Sequence, residues 1–339
     1  MGEILLEARG LSKGFPGVWE HLILDHLDFD VRAGEVHTLL GENGAGKTVI
    51  ANILSGYYDK TEGEVLIRGN PVNLTSPRDG LAHGIAMVHQ ELMLVPAFTV
   101  AQNVMVGLKA PAFSFGLAQV ERRLDELVVR YGLQVDPRAR VEDLSAGEQQ
   151  RVEILKVLFH EPQVLLLDEP TSLLTPGEAD QLFVVLRAMA DEGKGIVFIS
   201  HKMREVFAVS DRVTVLKLGK MQGTCHISET TEDELTRRTF GETVPDYMER
   251  PAVSSDAPAI EVRELVPKGL GSKAPATGMS FRLRRGEILG LAGVAGNGQT
   301  ELIEAITGLV PPAGGEVWIL GEDLTGKTPR AFIEKGVAH

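Results

Sequence analysis

Gly41-Glu42-Asn43-Gly44-Ala45-Gly46-Lys47-Thr48 fits the pattern G-x-x-x-x-G-K-S/T, and the residues on either side decide how it is read. Glu35 to Leu40 reads as a strand entering the stretch, and Thr48 to Ser55 as a helix leaving it. That is the setting a phosphate-binding loop requires. Glycines let the backbone curl so that successive N–H groups face one anion. The helix N-terminus adds partial positive charge, Lys47 adds a full one, and Thr48 is placed to hold Mg²⁺. Without those flanks, the same string is a Gly-rich turn with a solvated lysine.

Working outward, Leu24 to Val31 alternates apolar and polar residues, and Gly34 turns it into the strand that feeds the loop. Ile4 to Leu11 alternates as well and suits an edge strand. Phe15, just ahead of the loop, either packs or stacks on a purine ring. Downstream, Glu62-Gly63-Glu64 precedes a strand at Val65 to Ile67, with Gly69-Asn70-Pro71 as its turn. Ile85 to His89 is a buried strand ending at Gln90. A polar residue at the carboxyl end of a strand in an open α/β sheet is where ligands are met.

The middle of the chain has helical spacing from Leu117 to Tyr131, with Leu124, Leu127, Val128 and Tyr131 on one face. Leu144-Ser145-Ala146-Gly147-Glu148-Gln149-Gln150-Arg151 opens another helix, which runs through Phe159. Ser145 and Glu148 form a capping box. This is either only a well-capped helix, or an anion site in which Ser145 and the N–H groups of Ala146 and Gly147 meet a phosphate from outside the domain. Val164 to Leu167 predicts a fully buried parallel strand from which Asp168 and Glu169 emerge. Alternation sends the two carboxylates to different places. Asp168 suits Mg²⁺ through water, and Glu169 suits polarising an attacking water as general base. Gly195 to Ser200 is a further buried strand that delivers His201 to the same edge, within reach of a terminal phosphate.

Composition narrows the classes. A chain of 339 residues that is 43% hydrophobic can bury a large core, and its length suggests about two domains. The net charge of -13 and the lack of a basic block argue against nucleic acid as a partner. Cys225 is the only cysteine, which excludes an internal disulfide, and Met1 to Ser12 lacks a signal-peptide layout. Leu92 to Leu108 carries no charge, but Pro96, Gln102, Asn103 and Gly107 argue against a membrane span. It is either an apolar docking patch on the surface or an ordinary core segment.

Phosphate loop, Gln90, the string from Leu144 to Gln150, the acidic strand end at Asp168-Glu169-Pro170 and His201 stand in the order and rough spacing of the ATP-binding cassette. The chain therefore resembles the ATPase of ABC transporters. The resemblance implies a P-loop α/β fold, a mixed-sheet core with a helical subdomain. It implies that Phe15 stacks on adenine, that the residues from Gly41 to Thr48 cradle the phosphates, and that Gln90 links Mg²⁺ to the membrane subunit. Ser145 to Glu148 become the signature loop, which clamps the terminal phosphate of ATP held by an opposing cassette, and Leu92 to Leu108 then faces a permease. Two positions depart from the common pattern. Ala146 stands in place of glycine and keeps its N–H, while Thr175 stands where many members have aspartate, which puts the coupling between cassettes in doubt.

The chain also repeats itself. Residues 31–72 align without a gap to 283–324, with Lys47 and Gln299 lying 252 positions apart. The second loop, Gly293-Val294-Ala295-Gly296-Asn297-Gly298-Gln299-Thr300, has no lysine and is expected to bind ATP more weakly. The expected domains are a first ABC ATPase at 1–240, a Pro- and Ser-rich linker at 241–259 and the N-terminal part of a second, degenerate cassette at 260–339. The chain ends before that copy's Gln, signature or histidine, so a C-terminally truncated double cassette is expected. Paired cassettes of this kind resemble the ATPase subunit of bacterial importers for monosaccharides and nucleosides. Gln149 to Lys156, Leu174-Thr175-Pro176 and Gly296-Asn297-Gly298-Gln299 look more like the nucleoside branch. This implies transmembrane permease subunits as partners, an indirect solute-binding protein, and peripheral attachment at the cytoplasmic face of the membrane. The alternative is a soluble double-cassette ATPase acting on ribosomes, which would carry two intact loops and a long basic linker.

Overall fold

The computed structural model describes residues 2–15, 17, 22–108, 116–241, 257–268, 278–293 and 297–339. Two units separate along the chain, Met1–Val244 and Pro245–His339. In the first, alternation at the N-terminus builds one sheet. β1 (Ile4–Lys13) pairs antiparallel with β2 (Leu24–Arg32), burying Leu6, Ala8, Leu27, Phe29 and Val31. β3 (Val36–Leu40) is buried throughout and feeds α1 (Lys47–Leu54). β4 (Glu62–Ile67) and β5 (Asn70–Val72) complete the sheet in the order β2-β1-β4-β5.

β1 is therefore an interior strand and not an edge. Alternation reports which face is buried and is silent on whether both sides of the backbone are paired. The turn after β4 is also tighter than expected: Arg68 and Gly69 carry it with φ of 48° and 78°, and Asn70 and Pro71 already belong to β5. Pro71 is tolerated because β5 is the outermost strand.

The second sheet contains β3 together with β6 (Ile85–Val88), β7 (Val164–Asp168), β8 (Gly195–Ser200), β9 (Arg212–Lys217) and β10 (Lys220–His226). Its order is β10-β9-β3-β8-β7-β6, parallel except at β10. Both faces are covered, which is why β7 and β8 are apolar runs without alternation and why the two polar side chains of β3, His37 and Thr38, are paired with Thr214 and Ser210. One core lies towards the antiparallel sheet and includes Leu39, Ile50, Leu166 and Val197. The other joins Val88, Leu167 and Phe198 to α3 (Val100–Val106), α4 (Leu117–Tyr131), α5 (Ala146–Leu158) and α6 (Pro176–Asp191). α4 has the expected bounds and buries Val120, Leu124, Leu127 and Tyr131. Pro77–Ala82, Met203–Val209 and Glu232–Phe240 form α2, α7 and α8.

A buried ion cluster ties the two sheets. Arg212 on β9 donates to Asp30 on β2 at 2.7 and 3.0 Å and to Glu35 at 2.8 Å. Burial pushes the Asp30 carboxyl up, but the Arg212 and Arg32 hydrogen bonds outweigh it and hold the group at about 2. Replacing Arg212 by Met leaves Glu35 without its ion-pair partner in a poorly solvated place and Asp30 with Arg32 alone. The expected cost is about 3 kcal/mol, seen as a lowered urea midpoint. An unchanged midpoint would show the cluster to be well solvated.

The second unit repeats the first sheet. β11 (Pro258–Val266), β12 (Met279–Arg284), β13 (Gly314–Ile319) and β14 (Glu322–Asp323) run in the order β12-β11-β13-β14, the same arrangement as β2-β1-β4-β5. α9 (Gln299–Ile306) and α10 (Pro329–Glu334) stand at the repeat positions of α1 and α2. Residues 288–292, at the repeat positions of β3, form no strand, and Ile288 is 88% exposed. Of the second loop, Val294 to Gly296 lie outside the described residues, as do 242–256 of the expected linker.

Candidate functional site

The loop between β3 and α1 is shaped by its glycines. Gly44 and Gly46 have φ of 81° and 105°, in the left-handed region that side chains disfavour. A Cβ at Gly41 would run into the Leu216 carbonyl, whereas around Gly44 there is open space. Gly46 caps α1, whose first turn carries no acidic residue, so its N-terminal field is uncompensated. Ala45 donates its N–H back to the Glu42 carbonyl at 3.2 Å, closing the curl, and Glu42, Asn43 and Gly44 face solvent. Lys47 is only 5% exposed, and its Nζ donates to the carbonyls of Gly41 at 2.7 Å and Glu42 at 2.9 Å. Burial lowers its pKa, opposed by the charges of Glu169, Asp168 and Glu42.

Asp168 ends β7 and is 1% exposed, yet neither carboxylate oxygen has a hydrogen-bond partner in good geometry. Burial raises its pKa; the neighbouring Thr48 hydroxyl and Lys47 ammonium work against that rise. A buried carboxylate with open lone pairs beside a hydroxyl is an all-oxygen donor set of the kind hard divalent cations take, so these residues fit Mg²⁺. Gln90 lies two residues beyond the end of β6 and is exposed.

Glu169 has φ of 45°, a strained value for a residue with a side chain. Its N–H donates to the Ile199 carbonyl at 3.1 Å, extending the β7–β8 ladder by one residue. That pairing brings the Glu169 carboxylate to the ring of His201, whose Nδ1 lies 3.0 Å from Oε1. The structure thus gathers Lys47, Thr48, Asp168, Glu169 and His201 around one sheet edge. Phe15 is half-buried, edge-on to Tyr58 at 5.4 Å, with Lys13 Nζ 4.7 Å from its ring centroid.

Ser145 and Glu148 form the expected capping box: Glu148 Oε2 accepts from the Ser145 N–H and hydroxyl, both at 2.8 Å, and the Ser145 hydroxyl accepts from the Glu148 N–H at 3.3 Å. Ser145 and Ala146 are exposed, while Gly147 packs so closely on the Glu178 carboxylate that a Cβ would collide with it. Thr175 caps α6 and donates its hydroxyl to that same carboxylate at 2.7 Å. An aspartate there would offer no donor and would face a second negative charge.

The sequence does not mark Glu205 as a site residue. Glu205, buried in the first turn of α7, accepts from Thr171 Oγ1 and Ser200 Oγ at 2.8 Å and from Lys202 Nζ at 3.0 Å. It clamps the segment after Glu169 to the end of β8, just before His201. An acidic residue near a helix start is so common that nothing in the sequence marks it.

A glycine-shaped loop on a parallel sheet, with an acidic strand end beside it and a helical insertion, defines a P-loop nucleotide-binding fold. Comparison with known proteins narrows this. The family profile described as ABC transporter matches residues 24–172 and 276–338. The chain is 41% identical to the glucose import ATP-binding protein TsgD13 of Haloferax volcanii, over 99% of this chain and 66% of that protein. It is also 41% identical to the nucleoside import ATP-binding protein NupA of Lactococcus lactis, over 93% of this chain and 62% of that protein. Among solved structures, cbiO1 from Clostridium perfringens, part of the ABC transporter complex cbiONQ, superposes with a TM-score of 0.59 at 27% identity, covering 70% of this chain and 94% of that one. The chain belongs to the ABC transporter family, and it spans slightly less than two thirds of the length of these two curated relatives.

Proposed function

We propose that the chain is the ATP-binding and ATP-hydrolysing part of an importer for nucleosides or simple sugars. The observation that carries the reading is the sheet edge where Lys47, Asp168, Glu169 and His201 meet. In this reading the N–H groups from Gly41 to Thr48 and the Lys47 ammonium bind the phosphates, and Phe15 offers its ring to the adenine. Thr48, Gln90 and Asp168 would hold Mg²⁺, which when bound would offset phosphate charge. Glu169 takes a proton from the attacking water, and His201, hydrogen-bonded to it, fixes its orientation beside the terminal phosphate. Ser145, Ala146, Gly147 and Glu148 serve a nucleotide on an opposing cassette; the exposure of Ser145 and Ala146 at the start of α5 supports that use. Residues 1–240 would be the working cassette, 241–259 its tether, and 260–339 the start of a weaker one.

No helix among the described residues is long and apolar enough to cross a membrane. Leu92 to Leu108 divides into a loop and α3, leaving Met93, Val95, Phe98 and Val106 exposed. That apolar patch supports docking on transmembrane permease subunits, with attachment at the cytoplasmic face and an indirect solute-binding protein. Import relatives at equal identity are named for glucose and for nucleosides, and the strings noted above favour nucleosides. In cells carrying Lys47→Ala, uptake of labelled nucleosides should fall to background while monosaccharide uptake persists. Loss of sugar uptake alone would reverse the preference, and no change in either would sink the importer reading.

A further inference from the structure

The string from Gln149 to Lys156 carries an ion pair, Glu153 with Lys156, that also reaches beyond α5. Glu153 is 4% exposed, and its Oε1 accepts from the Met93 N–H at 2.6 Å. Lys156 Nζ sits 2.8 Å from the same carboxylate and donates to the Met93 carbonyl at 2.9 Å. An ion pair on one helix thereby holds both polar groups of a single residue's backbone. Two residues on, Asn103 of α3 does the same at Val95, accepting from its N–H at 2.7 Å and donating to its carbonyl at 3.1 Å. The side chains of these two gripped residues point the other way in character: Met93 is 55% exposed and Val95 is exposed as well.

Water could satisfy the backbone of a surface segment. Burying a carboxylate to do so costs desolvation energy, which a merely decorative contact does not repay. Because Met93 is three residues beyond Gln90 and α5 begins at the Ser145–Gly147 loop, the grip joins the Gln90 segment to that loop through one helix. We infer that Glu153 and Lys156 are positioning residues, which make the segment 90–95 and the start of α5 move as one body when the exposed side chains of Met93 and Val95 are pressed by a partner. This rests on the ATPase reading above for its effect on turnover, but not for the grip itself.

The test uses the whole chain with Glu153→Ala, Lys156→Met and Glu153→Gln, reading amide hydrogen exchange at Met93 alongside kcat and KM for ATP. Glu153→Ala and Lys156→Met should each speed Met93 exchange and lower kcat by about tenfold with KM within about twofold, a cost typical of misplacement by a fraction of an ångström. Glu153→Gln keeps an acceptor for the Met93 N–H and should recover most of both. Unchanged exchange in Glu153→Ala overturns the grip. Faster exchange with wild-type kcat, or a rise in KM that accounts for the whole loss, overturns the positioning role. Should Glu153→Ala fail to fold, Lys156→Met, at a partly exposed position, decides the same questions. A wild-type chain that turns over no ATP overturns the ATPase reading, while Met93 exchange still decides the grip.

Discussion

Glu169→Gln is expected to lower ATP turnover by about a thousandfold while leaving nucleotide affinity within about twofold, the range for removing a general base. Gln preserves the shape of the side chain and can still meet His201 Nδ1, so the 3.0 Å contact and the β7–β8 register survive. What is lost is the ability to accept a proton. Steady-state phosphate release and equilibrium nucleotide binding, measured on the same preparation, separate the two effects. Wild-type turnover in Glu169→Gln would remove the base assignment and turn attention to Asp168, whose pKa burial already pushes upward.

Lys47→Ala is expected to have the opposite signature. The ammonium now satisfies the Gly41 and Glu42 carbonyls, so a bound phosphate must compete for it, and the net gain is that of a charge-assisted hydrogen bond. About 3 kcal/mol is a reasonable figure for such a contact, which weakens ATP binding about a hundredfold. The loop itself should persist in the variant, since Gly44 and Gly46 set its backbone. Calorimetric titration with ATP checks the affinity. Binding within about threefold of wild type would mean that the backbone N–H groups and the α1 N-terminus carry the recognition alone.

The parts of this site that were legible in sequence are those carried by local pattern. β7 and β8 are recognisable because a doubly covered parallel strand is mostly apolar, β3 because it leads into the glycine-rich loop, and α5 because Ser145 and Glu148 satisfy each other within one turn. β1 was misplaced as an edge for a physical reason: its second neighbour, β4, is contributed by residues about fifty positions later, and alternation within β1 cannot encode that pairing. Glu205 and Glu153 were missed for the same reason. Each takes hydrogen bonds from residues distant in sequence, Thr171 in one case and Met93 in the other, so that their burial follows from the fold rather than from their neighbours.

The hydrogen bond from the Glu169 N–H to the Ile199 carbonyl has a further consequence. It means that the spacing between the acid and the histidine is inherited from the distance between two paired strands, about 4.8 Å in any sheet, rather than tuned by the loops that follow them. The clamp that Glu205 makes on Thr171 and Ser200 braces that ruler from outside and does not set its length. Sequence change elsewhere in the domain leaves the separation of Glu169 and His201 to the backbone ruler beneath them.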